Sequence, residues 1–202
     1  MAIKFQYNKT SLQQLRKELK VRVNALPTLV AKETALRLEV KKAREAAAAL
    51  EKDYAARLAS LSGFERLWGE MPEGLVRLEK AEVVIRKLAG VKVPSLERLE
   101  IAVAPFGALS APAWLSAGVE VLRSLAELRA KIELAKKKVE ILEHARKKTT
   151  QKVNLYEKVQ IPEYNDSILR IKRFMEDEEN LAKSSQKILK TRLDAMAREG
   201  AA

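Results

Sequence analysis

From Leu12 onward, alternating steps of three and four residues land on 12, 15, 19, 22, 26, 29, 33, 36, 40, 43, 47, 50, 54, 57 and 61. Twelve of these fifteen positions are apolar, the exceptions being Arg22, Glu33 and Arg57. A seam kept for so long puts one apolar stripe on one helix, which is the pattern of a coiled coil. At about 1.5 Å per residue, a helix from Ser11 to Leu61 extends for roughly 75 Å. Its start is predicted at Thr10, which forms a capping box with Gln13. A stripe of this length cannot face water alone, so the chain must hold a second helix to cover it.

That second helix is legible downstream. Pro112 suits a first helical turn, and the same spacing then runs through Val121, Leu125, Leu128, Ile132, Ala135, Val139, Leu142, Arg146, Thr149, Val153 and Tyr156. There the phase slips. The next good register is Ile161, Tyr164, Ile168, Ile171 and Met175, one residue late, and Pro162 sits at the slip. Proline has no N–H to offer the Lys158 carbonyl, so a wide turn or bulge would absorb both anomalies. Two helices of one chain joined by about fifty residues pair most simply as an antiparallel hairpin. With Leu61 opposite Val119, equal rise places Leu12 near Ile168. The remainder of the second helix overhangs, with acidic residues 176–179 followed by Lys183, Lys187, Lys190 and Arg192.

Between the helices, punctuation changes. Six of the seven glycines and four of the six prolines fall in residues 63–118. This marks three segments: an N-terminal helix (1–62), a central insert at the far end of the rod (63–111) and a C-terminal helix (112–202). In the insert, β-branched runs flank Ala89-Gly90, which is compatible with a short β-hairpin, an irregular segment or a short helix. The expected fold is all-α: a long antiparallel two-helix coiled coil with a small irregular insert.

Composition excludes several classes of function. The absence of cysteine removes disulfides and thiolate metal sites, and the single histidine, His144, cannot form a histidine cluster. No glycine-rich phosphate loop of the GxxxxGK[ST] type is present. No apolar run is long enough to span a membrane, and no signal peptide opens the chain. A cytoplasmic, non-catalytic protein without a cofactor is expected. The net charge is +12. Basic residues exceed acidic ones by thirteen to six in 1–62 and by nineteen to fourteen in 119–202, with balance in 63–118. Partners along the terminal segments are therefore acidic.

Candidate contact residues follow from that charge and from the aromatics. Lys136, Lys137, Lys138, Arg146, Lys147 and Lys148 form a basic run, but Glu140 and Glu143 interrupt it and no aromatics interleave for base stacking. Trp68 and Trp114 both fall at the insert end, where they either pack that end or anchor a partner protein. The composition and spacing also suit a cytoplasmic coiled-coil adaptor or a basic helical hairpin that binds nucleic acid.

Two segments narrow the choice. Val153-Asn154, Glu157 and Ile161-Pro162, with the apolar steps on to Ile171, resemble the signature of the second long helix in the D subunits of V/A-type rotary ATPases. Gly90, Val91 and Pro94, within residues 89–94, resemble that family's segment at the end of its central insert. Gln151-Lys152 stand where the family carries two arginines, and residues 104–122 look closer to a divergent bacterial branch. The resemblance implies a non-catalytic central rotor shaft that carries torque between the nucleotide-processing head and the membrane rotor. It implies as partners the catalytic and nucleotide-binding subunits A and B, the small F subunit of the stalk, and a connector to the membrane ring. The location implied is cytoplasmic and peripheral to the membrane.

Overall fold

The computed structural model describes residues 4–107 and 111–199. Its elements are helix α1 (Lys9–Ser60), helix α2 (Glu65–Gly69), strands β1 (Val76–Leu88) and β2 (Val91–Val103), helix α3 (Leu115–Asn154), a π-helical segment (Leu155–Gln160) and helix α4 (Ile161–Glu199). They fall into two compact units, one of residues 1–31 with 150–202 and one of 32–149. The two-helix plan is confirmed. All fifteen positions of the first seam except Arg57 are buried or half-buried, as is every position of the second.

In the first unit, Leu12 and Leu15 of α1 pack against Tyr164, Ile168 and Ile171 of α4, with Phe5, Leu19 and Met175 around them. Leu12 thus meets Ile168, as equal rise requires. Pairing is antiparallel, because Glu18 meets Tyr164 and the later Arg22 meets the earlier Gln160. Helix α1 starts earlier than the expected capping box. Asn8 is the cap, its Oδ1 accepting the Ser11 N–H at 2.7 Å, and Ser11 Oγ accepts the Gln6 N–H at 3.4 Å. Asparagine is at least as good an N-cap as threonine, and the earlier start places Phe5 against the apolar cluster. Pro27 lies inside α1, which continues through it.

The slip in the second seam is a turn of π-helix. The Ile161 N–H bonds the Tyr156 carbonyl five residues back, and Pro162 follows with no N–H at all. A π-turn inserts one residue into an α-helix. That matches the one-residue delay from Tyr156 to Ile161.

In the second unit, α1 and α3 are again antiparallel: Arg44 pairs with Glu143, and the later Glu51 pairs with the earlier Lys136 at 2.8 Å. Leu36, Val40 and Ala43 of α1, Leu142 of α3 and Val93 of β2 form one core. A second core joins Leu75, Leu115 and Val119, with Met71, Val76, Phe106 and Trp114 at its edge. Helix α3 begins at Leu115, three residues beyond Pro112, whose carbonyl accepts the Leu115 N–H.

In the insert, the hairpin is the alternative that the chain adopts. Strands β1 and β2 are thirteen residues each and pair antiparallel, so the insert is longer and more regular than its sequence suggests. Its base sits by Leu115 and Val119, and its tip reaches Leu36, Val40 and Leu142. Two register irregularities, Leu78/Lys80 and Glu82/Val83, break the alternation that would have revealed long strands. The tip turns on Ala89 (φ 47°) and Gly90 (φ 77°), both left-handed, as the tight hairpin turns that match strand twist require. Counted outward from that turn, Ile85–Pro94 is a non-hydrogen-bonded pair, so the proline costs the ladder nothing.

Candidate functional site

The described residues contain no cluster of three His, Cys, Asp or Glu side chains able to hold a metal, and no helix among them is long and apolar enough to cross a membrane. The exposed apolar residues of α4 make an interaction surface the candidate site.

Its most conspicuous part is the end of α4. Every side chain from residue 176 to 196 is exposed. Leu181 is 68% exposed, Ile188 56%, Leu189 59%, Leu193 65% and Met196 67%. Their spacing brings all five onto one side of the helix, so they form one stripe. Lys183, Lys187 and Lys190 fall on the opposite side of the helix and Arg192 within the stripe, and residues 176–179 form an acidic band before them. Next to that band a mixed-charge groove is lined by Arg16, Lys172, Met175, Glu176, Glu178 and Glu179. A helix with five large apolar side chains in water is unfinished without a cover.

The motif around the π-helical segment lies in the same unit. Val153 and Ile161 are half-buried, while Asn154, Glu157 and Pro162 are exposed. Sequence reading missed the residues that meet this motif from α1. Tyr164 is buried, and its hydroxyl donates to Glu18 Oε2 at 2.5 Å. Arg22 stacks on the Tyr164 ring with Cζ 4.4 Å from its centroid, and donates from Nε to Gln160 Oε1 at 2.9 Å and from its terminal nitrogen to the Glu18 carbonyl at 3.0 Å. The only sequence signal was Arg22 as a polar exception in the seam.

The Tyr164 hydroxyl holds the Glu18 carboxyl below its usual range, against a smaller opposing effect of burial, with Gln14 and Arg22 assisting. Burial first, then the bond to Glu18 and the charge of Glu163, push Tyr164 above its usual value, with Arg22 opposing. Glu18 thus contributes stability above its ordinary pKa that is lost as pH falls, and Tyr164 contributes stability below its ordinary pKa that is lost as pH rises. The difference in thermal midpoint between the native chain and Tyr164→Phe should be largest between about pH 5 and pH 9 and shrink on both sides. Melting curves across pH check this. A difference that stays constant from acid to alkali contradicts it.

In the second unit the structure brings both tryptophans together. Trp68 of α2 and Trp114, just before α3, line an apolar cleft of about 230 Å³ with Leu61, Phe64, Leu67, Ala117, Gly118 and Val121. A neighbouring cleft is lined by Leu58, Trp68, Met71, Pro72, Leu122 and Leu125. Helix α3 approaches closely at Gly118, where a Cβ would lie 2.8 Å from Met71 Cε and would displace the end of that side chain.

The basic run does not form a continuous cationic stripe. Lys136 pairs with Glu51, and Lys138 and Arg146 are half-buried, while Lys137, Lys147 and Lys148 are exposed. Arg146 lines a cleft with Arg37, Lys41 and Arg44 of α1. Of the insert motif, Gly90 makes the hairpin turn, Val91 packs by the core and Pro94 lies in β2. Part of the 104–122 stretch, residues 108–110, lies outside the described residues.

Against known proteins, the model of the family described as the ATP synthase D subunit matches residues 11–191. The chain belongs to this family. The match covers both long helices and the hairpin, so membership rests on the whole two-helix-and-insert plan. Among curated relatives, the V-type ATP synthase D subunit of Borreliella burgdorferi is 27% identical over 192 residues, which is 94% of this chain and 95% of the relative. That of Chlamydia pneumoniae is 26% identical, covering 88% and 87% of the two chains. That of Chlamydia caviae is 30% identical over 158 residues, 75% of this chain and 76% of the relative.

Proposed function

We infer that this chain is the central-stalk subunit of a V/A-type rotary ATPase or ATP synthase and carries torque as its shaft. The observation that carries the reading is the unpartnered amphipathic end of α4, found in a member of the D-subunit family. In this role the stripe from Leu181 to Met196 enters the ring of catalytic and nucleotide-binding subunits, whose inner surface covers it. Exposed Lys and Arg on α4 slide against acidic groups of that ring, where weak, screened contacts avoid locking one angle. The tryptophan cleft anchors either the connector to the membrane rotor or the small F subunit of the stalk. The chain performs no chemistry itself, and it is held at the membrane through these other subunits.

Pro162 and the π-helical segment set the direction in which α4 enters the ring. Pro162→Ala should therefore lower coupled turnover while leaving assembly intact, and unchanged turnover in the assembled complex removes that role.

Affinity purification from the native source tests the reading as a whole. The chain should copurify with a nucleotide-hydrolysing hexamer and a small second protein, and should bind DNA or RNA weakly. Tight, steeply salt-dependent nucleic-acid binding without that hexamer overturns it.

A further inference from the structure

The π-helical segment has little support from packing, because none of its six residues is buried and only Tyr156 and Gln160 are half-buried. An α-helix is the more stable form of a six-residue stretch, with better hydrogen-bond geometry. Pro162, with no N–H for the Lys158 carbonyl, opposes its relaxation from the C-terminal side, and contacts with α1 add a second restraint. Four polar side chains are placed to do so. Arg22 holds Gln160, the last residue of the segment, at 2.9 Å, and stacks on Tyr164 one turn later. Tyr164 is tied in turn to Glu18, one turn before Arg22 on α1. The contacts bind α1 to residues on the far side of the surplus turn.

We propose that Glu18, Arg22, Gln160 and Tyr164 form a latch that keeps residues 155–160 in their wide turn and thereby sets the rotation of α4 about its axis. The size of the effect follows from helix geometry. One surplus residue corresponds to about 100° of rotation and 1.5 Å of rise. If the wide turn relaxed to an α-helix with all its residues kept, Tyr164, Ile168 and Ile171 would turn away from Leu12 and Leu15, and the exposed stripe beyond them would turn by the same angle. The latch is thus a positioning device. It acts on the stripe through α4 and does not itself touch any partner in this scheme.

The latch differs from an ordinary surface contact in one measurable way: it is needed only while the surplus residue is present. Deleting Val159 removes that residue and lets the helix continue with both apolar faces in register, interrupted only by the one hydrogen bond that Pro162 cannot make. Hydrogen exchange of the full chain separates the cases. In the native background, Arg22→Ala should speed exchange of the amides around 153–163 by about tenfold. Amides of residues 32–149 should be unaffected. In the chain lacking Val159 those same amides should be slow, and Arg22→Ala should change them by less than about twofold.

Three results would overturn the proposal. One is no acceleration by Arg22→Ala in the native background. Another is equal acceleration in both backgrounds, which makes Arg22 a plain stabilising contact. The third is a Val159 deletion that does not fold, because the residue is then not surplus.

Discussion

Replacing Leu181, Ile188, Leu189 and Leu193 together by glutamine is expected to abolish incorporation of the chain into the rotary complex while leaving its own fold intact. The two halves of this expectation have separate physical grounds. All four side chains are more than half exposed, so their loss removes almost no packing within the chain. Exposed substitutions of this kind change stability by about 0.5 kcal/mol or less each. In the proposed assembly the same side chains are covered, and each fully buried Leu or Ile contributes about 1.5–3 kcal/mol. Four of them exceed what most interfaces can lose, so affinity for the head should fall by a factor on the order of 10³ or more even with incomplete burial. Circular dichroism and copurification with the head read the two halves. Normal assembly of the folded variant contradicts the role given to the stripe.

Ile171→Ala is expected to have the largest effect on the isolated chain. Ile171 is fully buried between α4 and the start of α1, against Leu12 and Leu15. Truncation there removes apolar contact and leaves a cavity, at a cost of about 2–5 kcal/mol. For a chain of this size that lowers the thermal midpoint by roughly 6–15 °C. Leu142→Ala, in the core with Leu36, Val40 and Val93, should cost a similar amount in the other unit. Thermal melts by circular dichroism check both. A loss below about 1 kcal/mol at either site contradicts the core assignment.

The helices were legible in the sequence because a long helix repeats its instruction at every turn. The seam from Leu12 to Leu61 repeats often enough that Arg22, Glu33 and Arg57 did not obscure it. Even the defect at Pro162 was legible, because a phase slip shows against a regular background, and it proved to be one turn of π-helix. The hairpin was obscured for the opposite reason. Strand periodicity spans only two residues, and the irregularities at Leu78/Lys80 and Glu82/Val83 reset it twice within thirteen residues. Nothing local announced that β2 would lie on the helices, with Val93 buried beside Leu36. The start of α1 was misplaced because Asn8 and Thr10 are both plausible caps, and tertiary contact of Phe5 is invisible locally.

The candidate surface was partly legible. The overhang of the second helix follows from counting residues, and the charge of its end follows from composition. The latch did not show, because its members lie far apart in the chain and are joined only by antiparallel pairing. Glu18 and Tyr164 are 146 residues apart. Trp68 and Trp114 flank the insert in the sequence, but the clefts they line require the short α2 and the approach of α3 at Gly118.

The shaft role comes down to movement. A probe attached to an exposed position of this chain, in complexes whose head is fixed to a surface, should rotate stepwise in one sense when ATP is supplied and stop when it is withdrawn. A probe that stays still while the same complexes hydrolyse ATP would contradict the account.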